Sequence, residues 1–392
     1  MSVTSMSKFT SITVIMVVVV SIALMAGYVL HLPEVTPERT SIWLKVYYDF
    51  INEFYRPQWL SRSDIPSYPQ SAHITGIPWI SHNEPFCAST CLQMISYRYG
   101  INKSIGYFNF IMGFTYGAWL LEADSVYFIP GSDPFIGYIN ASKVLGFKYH
   151  LLVTNDKDLF LDACCYYVSQ GNPIVLPVDA STLYGSEGFS PHFELMVGYN
   201  ADYFYIYEPV EAKSRFSYGE LGKAFPKDVV AKAVSIFSKD LGLPWKYALI
   251  YFTKSGEPRE ELKEVLVWVG HLQIGAVYYG SAIGSKAIER LANLTSAGKI
   301  DMETYNWSMG MAYVSRLSNS IFLRSYFHNN SLVLKASHEL EEAAMLYHQI
   351  LELTQGGLTL SEKTQVVDLL LQAAQHEAKA GELLIEAGGF TP

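Results

Sequence analysis

The chain has 392 residues, half of them hydrophobic and 14% aromatic, enough for two folded units and a short N-terminal segment. A formal net charge of −9, with no run of lysine and arginine, argues against nucleic acid or anionic lipid as the main partner. Twenty-eight tyrosines describe a rigid, well-packed domain and exclude a disordered chain.

Residues 9–30 carry no charge. At ~1.5 Å per residue they span roughly 33 Å as a helix, enough for a bilayer core. A cleaved signal peptide is the alternative, but its apolar core is only about 7–15 residues. The expectation is a single-pass membrane anchor over 1–32, with a secreted, cleaved chain as the second option. Lys8 precedes the span, while Glu34, Glu38 and Arg39 follow it and roughly balance, which favours the bulk of the chain outside the cytoplasm. Asn-x-Ser/Thr sequons at Asn102, Asn140, Asn293, Asn306 and Asn329 point the same way, toward a glycosylated, extracytoplasmic protein.

In chain order, Trp43–Tyr55 reads as an amphipathic helix, and the Pro- and Ser-rich stretch 57–69 as a linker closing a 33–70 segment. Ala88–Tyr99 is an expected helix stopped by Gly100. Phe108–Phe128 is aromatic and β-like, broken at Gly113 and Gly117. A helix over Asp133–Leu145 is stopped by Gly146, followed by a strand, Phe147–Val153. Asp156–Gln170 is helical, and Pro173–Val178 is an apolar strand. His192–Tyr199 and Tyr203–Tyr207 form a hairpin around Asn200-Ala201-Asp202. A short helix over Tyr218–Ala224 and a strand over Ala248–Thr253 complete a 71–255 domain. From 256 to 392 strand signals fade, and segments near 260–276, 285–294, 301–327, 332–353 and 361–387 read as an all-α bundle.

The chemistry-bearing pattern is a cysteine at a helix start, a histidine opening a strand and an acid ending the next strand. Cys87 sits where the proline-marked 82–86 stretch becomes a helix; unsatisfied N–H groups at a helix N-terminus favour thiolate. His192 and Glu208 belong to the two arms of the hairpin. With the turn centred near residue 201, antiparallel partners sum to about 401 or 402, which makes His192 and Glu208 neighbours across the ladder. The carboxylate can then orient the imidazole that shuttles the thiol's proton. Glu194 lies on the strand face of His192, as a second polar site residue or a rim group. Asp179 ends a buried strand, and either lines the pocket or caps a turn. The remaining cysteines, Cys91, Cys164 and Cys165, allow no deduced pairing; a Cys91 bridge to either of the other two and simple burial both stay open. No cysteine–histidine zinc spacing and no phosphate-cradling glycine loop is present, so neither a metal nor a cofactor is expected.

The run His82-Asn83-Glu84-Pro85-Phe86-Cys87-Ala88-Ser89, then Tyr99-Gly100, Phe114-Thr115-Tyr116-Gly117, Gly171-Asn172-Pro173 through Asp179, Tyr184, His192, Gly198-Tyr199 and Glu208-Pro209, resembles the N-terminal domain of the butirosin biosynthesis protein H family. It is similar, more distantly, to bacteriocin-processing cysteine peptidases. The resemblance covers about residues 73–225, and the C-terminal helices look like the helical domain that often follows in the butirosin family. It implies an α+β chain with a papain-like cysteine peptidase or acyltransferase fold, followed by an all-α bundle and preceded by the transmembrane helix. It further implies acyl transfer or amide hydrolysis through a thioester on Cys87, with His192 as base and acid and Glu208 as the orienting group. Tyr116, Asp179, Tyr184 and Glu194 are the expected pocket residues. The chain departs from the peptidases in carrying Glu208 where they commonly have aspartate, and Ser81 where they place an oxyanion-hole glutamine. Asn83 or His82 could substitute as donor beside the Cys87 N–H. An inactive binding or scaffolding protein is the second reading. Expected partners are the membrane through 9–30, a peptide or acyl substrate, and a protein partner or second copy through the helical domain.

Overall fold

The computed structural model describes residues 51–122, 126–210, 219–278, 281–355 and 358–390. The expected anchor at 9–30 and most of the Trp43–Tyr55 helix lie outside these; among the described residues no helix is long and apolar enough to cross a membrane. The protein is a mixed α+β chain with a helical C-terminal region.

The strands in chain order are β1 Gln58–Trp59, β2 Ala72–His73, β3 Trp119–Glu122, β4 Val126–Ile129, β5 Phe147–Thr154, β6 Ile174–Asp179, β7 Pro191–Tyr199, β8 Tyr203–Tyr207, β9 Lys223–Pro226, β10 Tyr247–Lys254, β11 Ala276–Tyr278 and β12 Ser281–Ile283. The helices that matter first are α1 Cys87–Arg98, α2 Ile105–Met112, α3 Pro134–Leu145, α4 Lys157–Ser169, α5 Ala180–Tyr184 and α6 Lys227–Asp240. The last five are α7 Lys263–Ile274, α8 Ser285–Ser296, α9 Asn306–Tyr326, α10 Ser331–Leu353 and α11 Leu360–Ala387.

The chain divides into two compact units, and the division differs from the expected 71–255 and 256–392 blocks. Tyr55–Phe114 and Asp133–Leu262 form one unit, whereas Thr115–Ser132 groups with Lys263–Pro392. The reason is packing: Leu120 and Phe128, on the inner face of the β3–β4 hairpin, belong to the same buried cluster as Ile288, Leu291, Tyr347 and Leu370 of the helices. The C-terminal region is helical as expected, but it also carries a four-stranded antiparallel sheet, β11-β12-β3-β4.

The first unit is built on a sheet of order β1-β5-β10-β6-β7-β8-β9, with β2 added beside β7. Its pairs are antiparallel apart from β1 with β5. The β6 strand is buried along its whole length, as a run of apolar residues in the middle of a two-sided sheet must be. Gly198 is required where β2 crosses β7, because a Cβ there would lie 2.6 Å from the His73 ring. A bulge at the same point shifts the β7–β8 register.

Three local readings change. Residues 108–112, the start of the 108–128 stretch expected as β-like because of its aromatics, lie in α2. Ser104 caps its N-terminus by accepting from Tyr107 N–H, and Gly113 ends it with φ 63°. Every residue from Gly106 to Met112 is buried, so tertiary packing overrides the β-propensity of Tyr107, Phe108 and Phe110. Residues 223–226 are a strand and not the end of a 218–224 helix, and α6, which was not anticipated, follows at once. It buries Val230, Ala231, Val234 and Phe237, an apolar stripe at helical spacing.

Candidate thiol site

The α1 helix places the thiol. Phe86 is its N-cap residue and its carbonyl receives Thr90 N–H, Ser89 Oγ and Thr90 Oγ1. The N–H groups of the first turn, including that of Cys87, have no intrahelical acceptor. Residues Cys87–Ser96 are all buried. The Ala88 carbonyl receives the Tyr138 hydroxyl of α3 at 2.9 Å, and Ser89 Oγ also donates to Asn109 of α2. One turn on, Cys91 Sγ faces the Phe193 carbonyl of β7 at 3.6 Å, so the helix lies against the strand that carries His192.

The β7–β8 ladder places the other two groups. Leu195 pairs with Tyr207 and Met196 with Ile206, a residue sum of 402. Continued past the strand end, this register sets Glu208 level with Glu194, diagonal to His192. His192 Nε2 reaches Glu208 Oε1 at 3.0 Å and Glu194 Oε1 at 3.7 Å. Cys87 bears electrostatically on the same imidazole. With Nε2 committed to Glu208, Nδ1 is the nitrogen left for the thiol.

Glu208 is held by three donors: His192 Nε2, Val210 N–H at 2.9 Å and the Tyr184 hydroxyl. Burial would push its carboxyl up, but these hydrogen bonds and the imidazolium charge hold it well below the usual carboxylate range. Burial pushes Glu194 well above that range, and the neighbouring Glu208 charge adds to the rise. For His192, burial alone would lower the pKa. Interaction with Cys87 and the hydrogen bond to Glu208 outweigh it and raise the imidazole well above its ordinary value. The arrangement therefore favours imidazolium beside the Glu208 carboxylate. The side chain of His192 retains 13% exposure, against 6% for Glu208 and none for Glu194.

The other expected residues sort by what they touch. Tyr184, at the end of α5, sets its hydroxyl against both Glu194 and Glu208 and belongs to the site. Asp179 is the N-cap of α5: it accepts from Ser181, Thr182 and Ser190 N–H and from the Thr182 hydroxyl. Those bonds outweigh burial and lower its pKa, so its role is to hold the turn that delivers Tyr184. Tyr116 is not brought to the thiol; it is fully buried in the helical unit, in the field of Arg316. His82 is tied down, with Nε2 3.1 Å from Gln93 Oε1 and its N–H on the Pro209 carbonyl. Asn83 is exposed. The hydroxyl of Ser81 is buried with no hydrogen-bond partner.

Sequence reading missed two supports. Trp79 donates to the Glu208 carbonyl at 2.9 Å and stacks on Tyr207 at 4.9 Å between ring centroids, fixing the strand end. Lys223 of β9 lies 4.6 Å over the Tyr184 ring. A tryptophan after Pro78 was the only available signal for the first; nothing local marked the second.

All four cysteines are free thiols. Burial raises Cys91 and Cys164 well above the ordinary thiol range and pushes Cys165 up to about 11. Among the described residues, His192, Glu194 and Glu208 offer ligand atoms within 4.8 Å of one another, the one group close enough to hold a metal ion. A cation there would have to displace both the Tyr184 hydrogen bonds and the proton on Glu194. Of the sequons, Asn102, Asn293 and Asn329 are exposed, whereas the Asn306 amide is engaged with Thr354.

No family model matches the chain, and no curated protein matches it. Among solved structures it is similar to one from Bacillus anthracis described as a candidate C39-like peptidase. That likeness has 16% identity and a TM-score of 0.32, and covers 48% of this chain and all of that one. So weak a likeness says nothing about the chemistry of Cys87.

Proposed function

We propose that the sheet unit is a papain-like thiol enzyme that takes an acyl group onto Cys87 and passes it to water or an amine. The single observation that carries this reading is the His192 imidazole, 3.0 Å from the buried carboxylate of Glu208 and raised by the neighbouring Cys87 at a helix start. In the first half-reaction Cys87 Sγ attacks the carbonyl carbon, and the carbon–oxygen π electrons move to oxygen. The Cys87 N–H, free at the helix start, donates to that oxyanion. The tetrahedral adduct collapses to a thioester, and the leaving amine, alcohol or thiol departs with the proton of the imidazolium. In the second half, neutral His192 takes a proton from the acceptor as it attacks the thioester. The second tetrahedral adduct collapses, the Cys87 thiolate leaves, and the proton stays on His192, which restores the starting imidazolium. Glu208 stays ionised throughout and holds the ring. The uncharged 9–30 segment supports a membrane-anchored enzyme with its bulk outside the cytoplasm, and the exposed Asn102, Asn293 and Asn329 sequons fit that side.

The test is to incubate the protein with activated aryl esters, thioesters and peptide amides and map adducts by mass spectrometry. An acyl mass on Cys87, absent in His192→Ala, is the expected result. A reactive Cys87 that accepts no acyl group from any probe, beside a tightly retained peptide, would favour the binding-protein reading.

A further inference from the structure

Glu194 is the buried group that this mechanism does not use. It is fully buried on β7, between apolar Leu176 of β6 and Glu208, and no charged donor is dedicated to it. Its Oε1 lies 2.6 Å from the Tyr184 hydroxyl, while Oε2 is buried without a donor. The same hydroxyl also reaches Oε2 of Glu208. A phenol has one proton, so both contacts are hydrogen bonds only if one of the acids holds a proton. An anion with one oxygen unpaired and a second anion nearby is strongly disfavoured in this setting, whereas a neutral acid is satisfied.

We propose that Glu194 is a positioning residue that acts as a neutral carboxylic acid: it donates its proton to the Tyr184 oxygen, whose own proton goes to Glu208, and so locks the carboxylate that orients His192. Tyr184 bonds both acids and thereby fixes their separation. The pair carries one negative charge in total. A second charge 3.7 Å from His192 Nε2 would over-stabilise imidazolium and hinder its return of a proton to the leaving group. The titratable groups facing Glu194 are His192 on its own strand, Glu208 after β8, Tyr184 of α5, Cys87 and Cys91 of α1, and Lys223 over the Tyr184 ring. Strong burial raising Glu194 and strong hydrogen bonding lowering Glu208 split the two acids in the same sense.

The inference deepens the thiol-enzyme reading, yet its main test does not depend on catalysis. In the unfolded chain Glu194 is ionised above about pH 4.3; in the folded protein it is protonated, so folding takes up a proton. Its folded pKa is the raised one, so the stability tied to that proton is full below the unfolded pKa and is lost as pH rises toward the folded value. Glu194→Gln removes the titrating proton but keeps an N–H donor toward the Tyr184 oxygen. The full-length chain in detergent is unfolded with denaturant at several pH values, with labelling of the buried Cys91 reporting the opening of the sheet unit. The folding equilibrium of Glu194→Gln relative to wild type is expected to improve about tenfold per pH unit above pH ~4.3 until the folded pKa is reached. A protonated-carboxyl infrared band is expected in wild type and absent in Glu194→Gln. A pH-independent stability difference with no such band would overturn the proposal whatever the state of Cys87. Alkylation of Cys87 supplies the second arm: Glu194→Ala is expected to slow it about tenfold, with Glu194→Gln recovering most of the loss. If the thiol proves inert but the proton linkage is present, the catalytic reading fails and the acid pair stands.

Discussion

The two units each bury a glutamate under a tyrosine hydroxyl, and the two networks are built to opposite ends. In the helical unit, Arg316 and Glu377 are both fully buried and joined by Nε–Oε1 at 2.7 Å and Nη2–Oε2 at 2.9 Å. Tyr347 donates to Glu377, and Arg316 also donates to the carbonyls of Thr115 and Gly117. A permanent cation meets a permanent anion, and the surplus N–H groups clasp the segment leading into β3. In the sheet unit two acids face one titratable cation, and that cation is partly exposed and lies in the field of a thiol. The first network has no proton to give. The second is poised around protons, with His192 and Tyr184 both partly exposed to solvent. Burial and hydrogen bonding alone therefore do not mark a functional site; a mismatch between the number of acids and fixed cations does.

The contrast can be broken at four points. The largest effect is expected from Cys87→Ala and His192→Ala, each lowering acyl-adduct formation by at least ~10³-fold while far-ultraviolet dichroism is unchanged. Normal adduct formation in either variant removes the thiol mechanism. Next, Arg316→Met leaves Glu377 buried and unpaired and is expected to cost about 3–5 kcal/mol of the helical unit's stability in denaturant. Arg316→Met combined with Glu377→Leu should cost less than the single change, and a single variant as stable as wild type would show the clasp to be dispensable. A smaller effect is expected from Glu208→Gln. It weakens the hydrogen bond that helps hold His192 above its ordinary pKa, so the pH at which the imidazole loses its proton should move down. The smallest is expected from a chelator: Cys87 alkylation should not change with EDTA, and a clear change would mean that His192, Glu194 and Glu208 hold a metal.

How far the sequence led depends on the range of the interactions involved. The hairpin could be placed by arithmetic because an antiparallel ladder obeys a fixed sum, and the observed 402 falls within the expected register. The juxtaposition of His192 and Glu208 followed from it. The opposition of Glu194 and Glu208 was contained in the same sum, but the bulge at Met196/Gly198 and the side-chain directions decide it. Helix α1 announced itself through Gly100, while α2 was hidden because its aromatics prefer strands and only burial on every side overrules them. Amphipathic spacing at Val230, Val234 and Phe237 could have revealed α6. The grouping of Thr115–Ser132 with the helices was beyond any local signal, since Arg316 and Asn319 lie some two hundred residues from the backbone they hold. The anchor at 9–30 lies outside the described residues and stays a reading of the sequence.

The most direct measurement is the site-resolved rate of iodoacetamide labelling against pH for the four thiols. Cys91, Cys164 and Cys165 are buried and held above the ordinary thiol range, so at neutral pH they should be silent. The account predicts that Cys87 labels far faster than the other three at neutral pH, and that His192→Ala removes most of that advantage. Labelling of Cys87 as slow as its three neighbours, and indifferent to His192, would contradict it.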